Sequence, residues 1–260
     1  MSGNDRYLEG KGALITGGAS GFGRGAAYAL AEKGADIVLV DINEELLEET
    51  SKKVAQKTGR KVIPIVCDVS KSDQVKSMAT QAYEELDNVF VVFNNAGIAD
   101  QSLRPITKVK EVNWDRVMDV NLKGQWLVMN SLWRKMKKQP FEPLAGKVIC
   151  TSSLGAFTLS PVLPAYCISK VGVIAMAKIF AKELAPKITV NSILPGFHTT
   201  GIYLNSEDLI KTMMKAGNIN LPLERIGTVE DVVNLFMFLV SPASDYITGQ
   251  YFIVGGGLYI

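Results

Sequence analysis

Residues 13–23 read Ala13-Leu14-Ile15-Thr16-Gly17-Gly18-Ala19-Ser20-Gly21-Phe22-Gly23, a short apolar run that breaks into a glycine-rich turn. The apolar part suits a buried strand, and residues 23–33 behind the turn carry a helical pattern. Gly17, Gly21 and Gly23 let the backbone bend tightly and come close to a ligand. A helix that opens at such a turn offers unpaired N–H groups and a partial positive charge to an anion. Strand, glycine turn and helix in that order are how a doubly wound α/β fold begins and where a pyrophosphate can rest. The spacing is G-x-x-x-G-x-G, and a purely structural turn is the alternative reading of it.

Outward from this start, apolar β-rich runs alternate with amphipathic stretches. Strands are expected at residues 13–16, 36–40, 62–66, 89–93, 148–151, 189–194 and 251–254. Several are nearly continuous in Val, Ile, Leu and Phe, as strands buried on both faces are. Helices are expected at 23–33, 43–57, 73–86, 114–138, 165–185 and 229–240. Strict alternation implies a parallel sheet with helices on both sides. No repeat or linker divides the chain, so residues 1–260 form one domain, with 1–97 mainly dinucleotide-binding and 98–260 catalytic and substrate-binding. Residues 199–222, rich in Met, Ile, Leu and Asn, break the alternation where a lid would sit.

A net charge of +2 gives no footprint for nucleic acid or an anionic membrane. Cys67, Cys150 and Cys167 are too few and scattered for a disulfide framework or a zinc site, so no metal is expected. Cys67 and Cys150 end apolar runs, where a thiol serves as a small buried hydrophobe. The polar amino terminus lacks a signal core, and no uninterrupted apolar run is long enough to span a membrane. A reduced, cytoplasmic protein is expected.

Asp41 ends the second strand, where a carboxylate can accept from the hydroxyls of an adenosine ribose and would repel a 2′-phosphate. Its neighbours Ile42 and Asn43, and Ser20 in the turn, are neutral, which favours NAD over NADP. Asp41 as a helix cap is the plainer reading. Asp68 and Val69 end the third strand, with Asp68 placed to accept from an adenine amino group. Asn94-Asn95-Ala96-Gly97 ends the fourth and could equally form a turn.

Tyr166 and Lys170 lie four apart on a predicted helix and share a face, and Ser153 precedes Tyr166 with twelve residues between them. Spacing alone proves little, since Tyr7 and Lys11 repeat it. An unperturbed tyrosine, with a pKa near ~10, is a poor base at neutral pH. A lysine beside it stabilises tyrosinate and lowers that value.

The ordered set Thr16-Gly17-x-x-x-Gly21-x-Gly23, Asp68, Asn94-Asn95-Ala96-Gly97, Asn121, Ser153, Tyr166-x-x-x-Lys170 and Pro195-Gly196 resembles the classical short-chain dehydrogenases/reductases over nearly the whole chain. The resemblance implies a single Rossmann-type domain with a seven-stranded parallel β-sheet flanked by helices, a nicotinamide cofactor, and a homo-oligomer, tetramer or dimer. It implies a tetrad in which Tyr166 is the general acid/base and Ser153 holds the reacting oxygen. Lys170 would bind the nicotinamide ribose, and Asn121 would support a water linking Lys170 to solvent. Gly17, Ser20, Gly21, Phe22 and Gly23 would meet the pyrophosphate, and Asp41, Ile42, Asp68 and Val69 the adenosine. Asn95, Ala96, Gly97, Tyr166 and Lys170 would line the middle of the cofactor, and Pro195, Gly196, His198 and Thr200 its nicotinamide end.

His198, the only histidine, departs from the pattern, which has an apolar residue there. A backbone contact survives the change, and the side chain either points to solvent or reaches substrate. Val254-Gly255-Gly256-Gly257 replaces the family's Val-Asp-Gly-Gly, and the apolar end Leu258-Tyr259-Ile260 is expected to be buried in a neighbouring subunit. Candidate pocket residues are Leu154, Phe157, Leu159, Val162 and Phe197, with Ile202, Tyr203, Met213 and Met214 from the lid. Such a lining suits an apolar or moderately polar secondary alcohol or ketone. Arg104, Lys108 and Lys110 are either solvated charges or anion readers at the pocket mouth. The expected activity is NAD-dependent interconversion of a secondary alcohol and a ketone. The alternatives are an NADPH-dependent ketone or 3-oxoacyl reductase and a non-catalytic nucleotide-binding protein.

Overall fold

The computed structural model describes residues 6–99, 103–199, 211–212, 214–215 and 219–259. Seven parallel strands form one sheet in the order β3-β2-β1-β4-β5-β6-β7. They are β1 (Gly12–Thr16), β2 (Asp36–Asp41), β3 (Val62–Val66), β4 (Val91–Asn94), β5 (Gly146–Thr151), β6 (Ile188–Pro195) and β7 (Tyr251–Val254). Each expected strand is present to within a few residues. β1, β4, β5 and β6 are buried along their whole length, which explains their unbroken apolar runs.

The helices are α1 (Gly21–Glu32), α2 (Glu44–Thr58), α3 (Ser72–Glu85), α4 (Glu111–Met118), α5 (Gln125–Met136), α6 (Gly155–Thr158), α7 (Pro164–Leu184) and α8 (Val229–Val240). Side chains alternate across the sheet and divide the core in two. Ala13 and Ile15 pack with Leu30 of α1, Leu47 of α2 and Phe236 of α8. Leu14 points the other way, into a core with Met78 of α3, Leu132 of α5 and Val173 of α7. α2 starts at Asn43, whose side chain accepts from Leu46 N–H, and stops at Gly59 in the left-handed region. A Thr228–Asp231 capping box opens α8.

One expected element is corrected. The pattern over 114–138 reads as a single helix, but Asp119–Gly124 between α4 and α5 is a π-helical turn. Such turns gather at functional sites because they displace side chains and loosen the backbone ladder. Asn121 sits in it.

By length and composition alone, α7 would pass for a membrane-crossing helix. Most of that apolar surface is buried inside the molecule, and the helix carries Tyr166 and Lys170. The look-alike pair Tyr7 and Lys11 lies elsewhere: the Tyr7 hydroxyl is 3.5 Å from Met237 O, and Lys11 Nζ rests 4.1 Å from the Phe90 ring centroid.

Candidate active site

In the strand order the chain leaves β1 toward β2 and β3 on one side, and β4 to β7 follow on the other. The carboxyl ends of β1 and β4 therefore part their connections and open a crevice, the general ligand position in such sheets. A cleft of about 840 Å³ lies there.

The turn after β1 forms its floor. Gly17 and Gly21 have φ of +65° and +51°, conformations that L-residues with a side chain rarely adopt. A β-carbon on Gly23 would stand 2.1 Å from the Gly17 carbonyl oxygen, so helix and loop close only over glycine. Ser20, the N-cap of α1, makes no side-chain cap bond, and no acidic side chain occupies the first turn. The helix amino terminus thus keeps its N–H groups for an anion, and the cradle fits the pyrophosphate of a dinucleotide.

Asp41 sits beside this floor at the end of β2. Its Oδ2 accepts from Ala19 N–H and its Oδ1 from Asn43 N–H, each at 3.1 Å. The carboxylate is half-buried, lines the cleft and stiffens the glycine turn, so it is more than a helix cap. Asp68 is held by Ser70, whose N–H and hydroxyl both donate to its Oδ1 at 2.9 and 2.7 Å.

The Asn94–Asn95 pair stitches strands together. Thr16 Oγ1 accepts from Asn95 N–H at 2.9 Å and Ala96 N–H at 3.1 Å. Asn95 Nδ2 donates to Thr16 O at 3.1 Å, and its Oδ1 accepts from Thr151 Oγ1 at 3.2 Å. The ends of β1, β4 and β5 are thereby locked, and the cleft wall above them is rigid.

Tyr166 and Lys170 occupy the first two turns of α7, facing the end of β5 where Ser153 follows the strand. All three line the cleft. A β-carbon on Gly155 would lie 3.3 Å from both Ser153 Oγ and Tyr166 Cε1, which places hydroxyl and ring beside the same glycine. Ser153 Oγ accepts from Gly155 N–H at 3.0 Å, which leaves its proton to donate elsewhere. Lys170 Nζ lies 5.6 Å from the Tyr166 ring centroid and donates to Thr151 O at 3.0 Å. Burial pushes the Lys170 pKa down to about 8, with the Cys150 thiol opposing it. That amine is charged at neutral pH and close to its titration. Burial also pushes the Cys67 and Cys150 thiols up to about 11 and about 12, so both are neutral core groups.

Asn121 is fully buried and does not line the cleft. Its Oδ1 accepts from Ile98 N–H at 2.8 Å, and its Nδ2 donates to Ile98 O at 2.9 Å and Ser169 Oγ at 3.2 Å. The π-turn aims this amide at the chain after β4, next to Lys170. A β-carbon on Gly97 would be 3.3 Å from both Asn121 Oδ1 and Lys170 Nζ.

Ile42, Val69, Ala96, Gly97, Pro195 and Gly196 line the same cleft. Thr200, Ile202, Tyr203 and Met213 lie outside the described residues. The solvent reading of His198 is corrected: the side chain is only 2% exposed, and its ring meets the Phe22 ring edge-on at 5.5 Å. Burial pushes its pKa below the ordinary value, against pulls from the Gly196 backbone and the Asp231 carboxylate and with a push from Arg225.

None of the described apolar substrate candidates lines the cleft. Leu154 is buried beside Gly196 and Gly255. Phe157 is stacked on Tyr259 and packed against Tyr251 at 5.2 and 5.3 Å, so the carboxyl-terminal aromatic covers its own chain. Leu159 and Val162 are exposed, and the Phe197 carbonyl accepts from Gly227 N–H. Arg104, Lys108 and Lys110 are exposed and away from the cleft, whereas Lys71 and Arg116, which sequence reading passed over, line it. Neither carries a motif, so no sequence signal marks them.

Comparison with known proteins gives the same family as the motifs. The family model described as Enoyl-(Acyl carrier protein) reductase matches residues 17–259. The chain is similar to the 3-oxoacyl-[acyl-carrier-protein] reductase FabG of Thermotoga maritima, with 37% identity over 97% of this chain and 99% of that protein. A short-chain type dehydrogenase/reductase from Mycobacterium marinum superposes with a TM-score of 0.88 at 32% identity, covering 98% of each chain. The 3-ketoacyl-(acyl-carrier-protein) reductase from Brucella melitensis, in complex with NADH, gives 0.85 at 29% identity over 97% of this chain and 100% of that one. Glycine cradle, parallel sheet, Ser–Tyr–Lys cleft and these likenesses agree: the chain belongs to the short-chain dehydrogenase/reductase family of oxidoreductases.

Proposed function

We propose that the chain reduces a 3-oxoacyl thioester to the 3-hydroxyacyl thioester, with NADH bound in the cleft. The observation that carries this is the convergence of Ser153, Tyr166 and Lys170 on one cleft wall above a glycine cradle. Sequence reading put oxidation of a secondary alcohol first and 3-oxoacyl reduction second. The names of the curated relatives favour the second. Its NADPH half is opposed by the Asp41 carboxylate at the ribose end and by neutral Ser20 in the turn. The NADH complex of the Brucella relative supports the same choice.

When bound, the reduced nicotinamide supplies the hydride that adds to the ketone carbon. The chain's own groups manage the oxygen. Ser153, whose Oγ already accepts from Gly155 N–H, donates a hydrogen bond to the ketone oxygen, keeps its proton and fixes the oxygen's position. Tyr166 donates the proton that completes the alcohol. The Lys170 ammonium, pinned to Thr151 O, stabilises the tyrosinate left behind. Asn121 holds the segment at Ile98 in place and so keeps Gly97 clear beside Lys170. Exposed Tyr251 and Ile253 on edge strand β7, with Ile179 on α7, support a homo-oligomer, which mass measurement in solution checks.

The test of the reaction is NADH consumption with acetoacetyl-CoA, with crotonyl-CoA alongside as an enoyl substrate. Consumption with acetoacetyl-CoA and none with crotonyl-CoA is expected. The reverse pattern overturns carbonyl reduction, and NADPH outperforming NADH overturns the cofactor choice.

A further inference from the structure

Gln125 is the first residue of α5, directly after the π-turn that carries Asn121. It is 1% exposed, a polar amide enclosed in the core. Its two ends are used unequally. Nε2 donates to Thr151 O at 3.1 Å, whereas Oε1 meets no hydrogen-bond partner among the described residues. A buried oxygen left unpaired is a cost that an apolar side chain would not carry, so the worth of this residue lies in its N–H group. The reverse orientation of the amide would set oxygen against oxygen, and the Thr151 carbonyl therefore decides which end faces it. The backbone is anchored as well, because Gln125 O accepts from Asn94 Nδ2 at 2.8 Å.

Thr151 O is the same atom that holds the Lys170 ammonium, at 3.0 Å. The fold leaves this carbonyl to side chains. Strand β4 beside it ends at Asn94, and the next two N–H groups, of Asn95 and Ala96, go to Thr16 Oγ1. A carbonyl oxygen has two lone pairs, and this one divides them between a cation and a neutral amide.

We propose that Gln125 is a positioning residue for Lys170: it competes for the Thr151 carbonyl and so limits how firmly that carbonyl holds the lysine's charge. This rests on Lys170 being the cation that steadies the Tyr166 tyrosinate in carbonyl reduction. The amide turns the positive end of its N–H dipole toward the oxygen that the ammonium also faces, which opposes the charged form of the lysine. The titratable groups around the amine are the Cys150 thiol of β5 and Tyr166, one turn back on α7. Cys150, pushed up to about 12, stays neutral while Lys170 titrates. The Asn121 amide, across Gly97, carries no charge. Both groups and the tyrosine are untouched by a change at Gln125, so a comparison of variants isolates the shared carbonyl.

The test is urea unfolding across the neutral and alkaline range for the wild type, Gln125→Met and Gln125→Glu, with kcat/KM for acetoacetyl-CoA and NADH over the same range. Methionine keeps length and bulk and removes the N–H, whereas glutamate keeps the shape and puts a carboxylate beside the ammonium. In the wild type, stability rises with pH once folded Lys170 begins to lose its proton, at about 8. Freed of its competitor the ammonium is held more firmly, so the rise starts later. The onset is expected to move up by about half a pH unit in Gln125→Met, a threefold change in the balance of ammonium and amine. In Gln125→Glu it is expected to move up by about one unit or more. The alkaline limb of kcat/KM is expected to move in the same direction.

An onset that stays put or moves down in Gln125→Met overturns the proposal and leaves Gln125 a packing element. An onset that moves while the kcat/KM limb stays fixed overturns it equally, because the amide then has no bearing on catalysis. If the methionine variant does not fold, the glutamate variant is read by the same two criteria. A wild type without turnover of acetoacetyl-CoA is a different result: it removes the proposed reaction, while the stability onset still decides whether Gln125 acts on Lys170.

Discussion

Asp41→Asn removes one charge from the ribose end of the cleft while keeping the shape of the side chain. A 2′-phosphate carries roughly 1.5 to 2 negative charges at neutral pH. At ~5 Å from a half-buried carboxylate, with an effective dielectric between protein and water, the repulsion is about 2 kcal/mol. Neutralising Asp41 removes that term for NADPH. For NADH it turns a charge-assisted bond to a ribose hydroxyl into a neutral one, a loss of about 1 kcal/mol. The two changes act in opposite directions, so the NADPH to NADH ratio of kcat/KM rises by about 3 kcal/mol, roughly a hundredfold.

The same carboxylate also accepts from Ala19 and Asn43 N–H. Asparagine can keep one of these bonds and turns an N–H toward the other donor, which loosens the glycine turn. That cost is common to both cofactors and cancels in the ratio. Initial rates with each cofactor at saturating acetoacetyl-CoA give the number. A ratio that moves by less than about threefold refutes the placement of Asp41 at the ribose 2′ position.

Two other substitutions read the buried machinery. Burial holds Lys170 at about 8 against an ordinary 10.5, so below about 8 folded and unfolded chains both carry the proton and the full penalty is present. Between about 8 and 10.5 the unfolded chain binds more protons, and stability rises with pH. Lys170→Met removes up to about 3 kcal/mol of penalty and takes away one of two donors to the Thr151 carbonyl, which keeps Gln125 Nε2 at 3.1 Å, at a cost of about 1. Urea unfolding at neutral pH is expected to show a variant about 2 kcal/mol more stable, without the alkaline rise, and inactive; a destabilised variant contradicts the burial argument. Asn121→Leu strands the Ile98 N–H and carbonyl and is expected to lower stability by about 2–4 kcal/mol and to disable turnover. A variant that unfolds at the wild-type urea concentration shows that those bonds are dispensable.

The sheet was legible because its central strands are buried on both faces and write themselves as unbroken apolar runs. The glycine turn, Asp41, Ser153, Tyr166 and Lys170 were legible because each needs a residue type that few others can replace at a fixed distance along the chain. Neither reason applies to Asp119–Gly124, since a π-turn has the apolar pattern of the α-helix around it. His198 was misread because an isolated histidine carries no information about burial, which here comes from Phe22 and Gly227, far away in sequence. Phe157 is one of the apolar pocket candidates in the sequence. A short helix and a left-handed Leu159 turn it onto Tyr251 and Tyr259 instead. Long-range packing decided each of these cases, and local pattern does not encode it.

The most direct measurement is turnover of acetoacetyl-CoA by Tyr166→Phe, with NADH affinity measured by fluorescence on the same sample. Loss of the hydroxyl removes the proton donor and leaves the cradle untouched, so turnover is expected to fall by about a thousandfold while affinity stays within about threefold. Turnover within about tenfold of the wild type would contradict the assignment of Tyr166 as the group that protonates the substrate oxygen.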